Sequence, residues 1–238
     1  MTTISRRLAQ LALVGAASCA ALTASGTAAQ AGPVCGDSPK LIFAKPGVTT
    51  YGTACADQII GTSGNDTIYG LGGDDEVLSG TGADTVYGGA GDDEIYTGSG
   101  LDQVLGEAGD DFVMAGTEND LVNGGAGDDV LRGEEGDDVL ISHAGANVPD
   151  GSDELYGGDG NDYLNGYEGV DWVEGQLGDD TLESHEVTPA YDHLVGGQGK
   201  DKFAVKDAVE HDAAHRDDVD VDNFDAAVTN KNAADTFH

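Results

Sequence analysis

The sequence predicts an all-β protein assembled from short stacked repeats, and three observations predict it. The segment Gly61 to Ile141 divides into nine consecutive nonapeptides without a gap. The sixth place of each is Asp and the eighth is always Ile, Val or Leu. Glycine, 38 residues of 238, collects at the first, second and fourth places, whereas proline numbers only five, so the glycine serves a nine-residue period and not a collagen one.

One unit reads Gly88-Gly89-Ala90-Gly91-Asp92-Asp93-Glu94-Ile95-Tyr96. Glycine at the first, second and fourth places lets the backbone take φ > 0, turn tightly and point carbonyl oxygens inward. The three residues after each Asp are long enough for a minimal strand, with the eighth side chain inward and the seventh and ninth outward. The sixth-place residues of the first block are Asp66, Asp75, Asp84, Asp93, Asp102, Asp111, Asp120, Asp129 and Asp138, and the fourth place is Gly except at Glu118. Six inserted residues (142–147) then precede four more copies, Val148 to Glu183, carrying Asp153, Asp162, Asp171 and Asp180. A three-residue insert (184–186) precedes two last copies with Asp192 and Asp201. Stacked loops align these carboxylates with backbone carbonyls, an all-oxygen environment for a hard cation. Calcium suits it better than magnesium, because calcium accepts irregular six- to eight-fold oxygen geometry.

These units resemble the hemolysin-type calcium-binding nonapeptide repeats (repeats-in-toxin), Gly-Gly-x-Gly-x-Asp-x-apolar-x, from Gly61 to Ala204. The resemblance implies a right-handed parallel β-roll with two nonapeptides per coil and calcium held between turns by the sixth-place aspartates, Asp66 to Asp180 and Asp201. One ion between loops i and i+2 gives seven positions in the block of nine and two in the block of four, about nine in all. Fifteen apolar side chains are too few to offset the entropy of ordering such a chain, so folding is expected to be coupled to ion binding.

The ends read differently. Arg6 and Arg7 precede an apolar run from Leu8 to Leu22, and Ala29-Gln30-Ala31 offers a small-residue cleavage site, the pattern of an export signal over 1–31. Ser5-Arg6-Arg7 also resembles a twin-arginine signal, which leaves the export route open between that and general secretion. Cleavage there moves the formal charge to 8 minus 45, or -37. Cys35 and Cys55, in an exported chain, are expected to form a disulfide, closing a cap over 32–60. Residues 205–238 form an acidic tail, in which Asp218-Val219-Asp220-Val221-Asp222-Asn223-Phe224-Asp225 resembles the segment that closes many such rolls. His211 and His215 stand at zinc-protease spacing, but with Asp212 where the general base should be Glu and only a short tail around them.

With 45 Asp plus Glu against 10 Lys plus Arg, no basic footprint exists for nucleic acid, and an anionic membrane surface repels the chain. No nucleophile elbow or phosphate loop is present. The expected function is that of a secreted, non-enzymatic calcium-binding protein that folds on extracellular calcium. The alternative is a structural or adhesive module that meets a protein or cell-surface partner through outward apolar residues. By parity Leu78, Tyr96, Phe112, Met114 and Val130 fall on one face, and Leu105, Leu121, Val139 and Ile141 on the other.

Overall fold

A nine-residue unit with only three strand residues cannot pair its own backbone, so the copies have to pair with each other. The computed structural model describes residues 35–36, 38–145, 148, 150–184, 192–205, 218–220 and 236–237. Among them every strand-to-strand pairing is parallel and no helix occurs. Strands alternate between two sheets. The first, of eleven strands, starts with Lys40–Phe43, Asp57–Thr62, Glu76–Gly80 and Glu94–Ser99, and the second, of nine, with Thr50–Tyr51, Thr67–Tyr69 and Thr85–Ala90. Val77 pairs with Ile95 and Val86 with Val104, so one coil takes two nonapeptides. The fold is a parallel β-roll.

Between the sheets the eighth-place side chains, from Ile59 to Phe203, make one continuous core in which each is at most 1% exposed. Seventh- and ninth-place residues face outward, as the strand period requires.

The roll starts earlier than Gly61. Gly52 to Ile60 is a further copy, with Asp57 at the sixth place, Ile59 in the core and Cys55 standing where the fourth-place glycine would be. Strand Lys40–Phe43 adds another rung, with Ile42 beside Ile59. Cys55 is joined to Cys35 by a disulfide, Cα to Cα 5.5 Å. The segment read as a cap therefore contributes one repeat copy and further strands to the roll. At the other end Asp218–Asp220 pairs with His193–Val195, and Thr236–Phe237 pairs with Asp218 and Val219, which extends the first sheet. His211 and His215 lie outside the described residues.

The inserts do not interrupt the stack. Ser142, counted above with the insert, keeps the first place of its coil: its N–H donates to Asn165 O at 3.2 Å and its hydroxyl to Gly166 O at 2.6 Å. The extra residues fall between it and Asp150, whose carbonyl accepts from Gly127 N at 2.7 Å as a third-place residue does. Ser184 is likewise buried and pairs with Val205. Both inserts thus leave from the second sheet, two coils apart. His143 of the first insert is placed, whereas His185 of the second lies outside the described residues.

One expectation about glycine is corrected. Second- and fourth-place glycines do take φ > 0, as in Gly89 (φ 125) and Gly109 (φ 135), but first-place glycines such as Gly88 and Gly106 do not. Their requirement is space. A β-carbon on Gly106 would stand 2.2 Å from Asp111 Oδ2 and 2.4 Å from Gly124 O.

Candidate metal centre

Each sixth-place Asp ends a glycine turn and starts a strand, and its side chain folds back under the turn instead of following the strand outward. The result is two files of carboxylates, one along each edge of the roll. The first contains Asp57, Asp75, Asp93, Asp111, Asp129, Asp153, Asp171 and Asp192. The second contains Asp66, Asp84, Asp102, Asp120, Asp138, Asp162, Asp180 and Asp201. Every one is at most 4% exposed.

Within each file Oδ1 accepts a hydrogen bond from the backbone N–H of the Asp one coil earlier, at 2.7 to 3.0 Å. The links Asp129 to Asp153 and Asp138 to Asp162 cross the first insert, and Asp171 to Asp192 and Asp180 to Asp201 cross the second. The second oxygen is treated differently. In Asp75, Asp111, Asp129, Asp162 and Asp180, for example, Oδ2 is buried with no hydrogen-bond partner. An unpartnered oxygen on a buried acid carries a large desolvation cost unless a cation or a proton answers it.

Burial pushes the carboxyls of Asp111, Asp120, Asp129 and Asp162 up to about 8, and neighbouring carboxylates add to it while the N–H donor one coil back opposes it. Asp153 is also pushed up to about 8 by burial, with the Ser142 hydroxyl opposing. Asp75 and Asp180 rise to about 7, and Asp93 and Asp102 to about 6, again through burial first. Asp171 is raised by burial and then by Asp192 beside it. Asp84 and Asp201 are raised as well, chiefly by burial.

The donor set fits a hard, oxygen-seeking cation. Each coil-to-coil step offers carboxylate oxygens lacking protons from the protein, with backbone carbonyls crowded beside them: on Gly70 a β-carbon would meet Gly88 O at 2.3 Å and Asp75 Oδ2 at 2.4 Å. Among the described residues no three His, Cys, Asp or Glu side chains converge into a ready-made cluster. Carboxylates alone therefore do not complete a shell, and main-chain oxygens have to supply the rest, as calcium permits.

Residues 51–86, 78–113, 114–149 and 150–182 each match the RTX calcium-binding nonapeptide repeat, four copies that cover more than half of the chain. The chain belongs to the RTX calcium-binding repeat family. Its membership carries calcium binding with it and agrees with the oxygen-only character of the files. No curated protein matches the chain.

Two features of these RTX files escape the repeat pattern. Asp57 was missed, although Gly52, Asp57 and Ile59 stand nine residues before Gly61, Asp66 and Ile68. The fifth-place acids form a second file in the first edge: Asp92 N donates to Asp74 Oδ1, Asp110 N to Asp92 Oδ1 and Asp128 N to Asp110 Oδ1, at 2.9 to 3.1 Å. These side chains are exposed and tie coil to coil in the opposite sense to the buried file.

The outward faces also differ. Leu78, Tyr96, Phe112, Met114 and Val130 share the first sheet and stay accessible to solvent. Leu105, Leu121, Val139 and Ile141 share the second, but each is at most 8% exposed. Against that sheet the start of the first insert is held by Asn123, whose amide pairs with the His143 backbone at 3.0 and 3.2 Å, while the His143 ring stacks on Tyr167 at 4.2 Å.

Proposed function

We propose that the chain is an exported, non-enzymatic calcium-binding protein whose coils close when calcium enters between them, with the sixth-place aspartates as its side-chain ligands. The carrying observation is the buried, unpartnered Oδ2 atoms of such residues as Asp75, Asp111, Asp129, Asp162 and Asp180, whose desolvation a divalent cation between the coils would offset. Each file has seven coil-to-coil steps, so fourteen positions are available instead of about nine, because the inserts leave both files in phase. Asp57 and Asp192 continue the first file at its two ends and join the ligand set by that position, although their Oδ2 atoms accept from Thr53 N and from the Ser184 hydroxyl. Fourteen calcium ions bring 28 positive charges to a chain of formal charge -35. Export rests on the apolar run and small-residue site over 1–31 and on a disulfide suited to an oxidising compartment.

Far-UV circular dichroism during a calcium titration tests the reading. The chain in chelator should lack β signal and gain it cooperatively with calcium, magnesium substituting poorly, and equilibrium dialysis should count near fourteen ions. A β spectrum indifferent to chelator would overturn it. Contact with a partner through the outer faces is a second role, and on the second sheet Leu105, Leu121, Val139 and Ile141 are buried and withdrawn from it.

A further inference from the structure

The outer face of the first sheet carries a row of rings. Tyr96 lies 5.9 Å from Phe112, the Arg132 guanidinium lies 6.0 Å from Phe112 and 5.0 Å from Tyr156, and Trp172 lies 3.9 Å from His193. These residues sit on six successive strands, a row about 24 Å long at about 4.8 Å per strand. Three of the rings are anchored by the same device. Tyr96 OH donates to Glu94, Tyr156 OH to Glu154 at 2.9 Å and Trp172 Nε1 to Glu174 at 3.4 Å, each carboxylate standing two residues away on the same outward edge. A ring fixed in this way loses little freedom when something docks on it.

Arg132 is the only Lys or Arg between Lys45 and Lys200. Although Glu134, Glu135 and Asp159 line a cavity of about 330 Å³ beside it, among the described residues it forms no ion pair, and its Nε has no hydrogen-bond partner. It stacks between the rings of Phe112 and Tyr156. One guanidinium among Glu94, Glu154 and Glu174 does not make a footprint for an anionic polymer. A second copy is disfavoured too, since an isologous contact would set these carboxylates against their own kind in a chain of charge -35. A chain of neutral pyranose rings suits the face: sugar C–H surfaces stack on aromatic rings, hydroxyls donate to carboxylates, and Arg132 donates to sugar oxygens. Its repeat along the chain is also comparable with the strand spacing of about 4.8 Å.

We propose that the ring row Tyr96–Phe112–Arg132–Tyr156–Trp172 on the first sheet is a binding site for a linear neutral glycan. The proposal deepens the partner-binding role and rests on the calcium-loaded roll, so circular dichroism in saturating calcium is recorded for every variant before glycan is added. Loss of fold and loss of binding are thereby read apart.

The single tryptophan, Trp172, reports the site directly. The full chain in calcium is titrated with cellohexaose, chitohexaose and mannohexaose, following Trp172 emission. At least one should shift the emission saturably, and Tyr156→Ala or Arg132→Ala should weaken that binding about tenfold with an unchanged β spectrum. Tyr87→Ala, on the second sheet, should leave it unchanged. No saturable shift with any of the three hexaoses overturns the proposal. So does equal weakening by Tyr87→Ala, or a calcium-dependent dimer in sedimentation that Trp172→Ala abolishes.

Discussion

Acidification of the calcium-free chain should fold it. In the closed roll burial raises the carboxyls of Asp75 and Asp180 to about 7, of Asp93 and Asp102 to about 6, and of Asp111, Asp120, Asp129, Asp153 and Asp162 to about 8. Asp171 is raised as well. A group whose folded value lies above its unfolded one favours the fold below the unfolded value, and that contribution disappears as pH rises through the folded value. These ten groups act together, each changing stability by up to about 1.4 kcal/mol per pH unit, so the roll should lose on the order of 10 kcal/mol for every unit between about pH 4.5 and 6. In calcium-depleted buffer, β signal should therefore be present near pH 4, gone by pH 7, and lost within less than one unit. Calcium binding should release protons, and its midpoint should move to higher calcium as pH falls. Circular dichroism from pH 8 to 3.5, with sedimentation to confirm a monomer near the pI of about 4.1, gives the answer. No β signal at pH 4, or a stronger one at pH 8, would refute the reasoning, because the cost would then not lie in ionising the buried files.

Asp93→Ala and Asp111→Ala should each raise the calcium midpoint more than Asp92→Ala, whose carboxylate is exposed; equal midpoints would dissolve the distinction between sixth and fifth places. Gly109→Ala combines a φ of 135° with a β-carbon 2.0 Å from Gly91 O, so it should pry adjacent coils apart and reduce the amplitude of the calcium-induced β signal. Glu118→Gly works the other way: Glu118 holds φ 75° in an exposed turn, and glycine there should stabilise the loaded roll by about 1 kcal/mol, read as a higher melting temperature.

The period of nine was legible because it is chemical as well as numerical. A sixth-place Asp that is buried and an eighth-place aliphatic in the core have no tolerated substitute in any described coil from Asp66 to Asp180, so the pattern stays in register across both inserts. What escaped was whatever the period does not encode. At Gly52 to Ile60 the second and fourth places are Thr53 and Cys55, which conceals a coil whose Asp57 and Ile59 are nonetheless in phase. Composition at a first place says glycine but not whether conformation or space demands it, and only the approach of Asp111 Oδ2 to Gly106 decides for space. Parity assigned Leu105, Leu121, Val139 and Ile141 to one face correctly, yet their burial depends on contacts outside the repeat, which no period can carry. The expected count of about nine ion positions rests on the block structure. Counting within blocks assumed that an insert breaks the stack, whereas the chain leaves after Ser142 and returns at Asp150 with Asp129 and Asp153 still adjacent.

That exit and return make the roll tolerant of splicing. Ser142 closes one strand with its own hydrogen bonds and Asp150 opens the next turn with its own, so the stack resumes in register beyond the loop. Asp150 also clasps the departing chain, accepting from Ala144 N at 2.9 Å and from His143 Nδ1 at 3.2 Å, which fixes the mouth of the loop. Loop closure grows more costly only slowly with length. A foreign peptide placed after Gly145 should accordingly ride on the outside of the roll without dephasing the coils on either side. The same latitude would let sequences of this kind acquire new segments between coils while the mineral-bound axis stays intact.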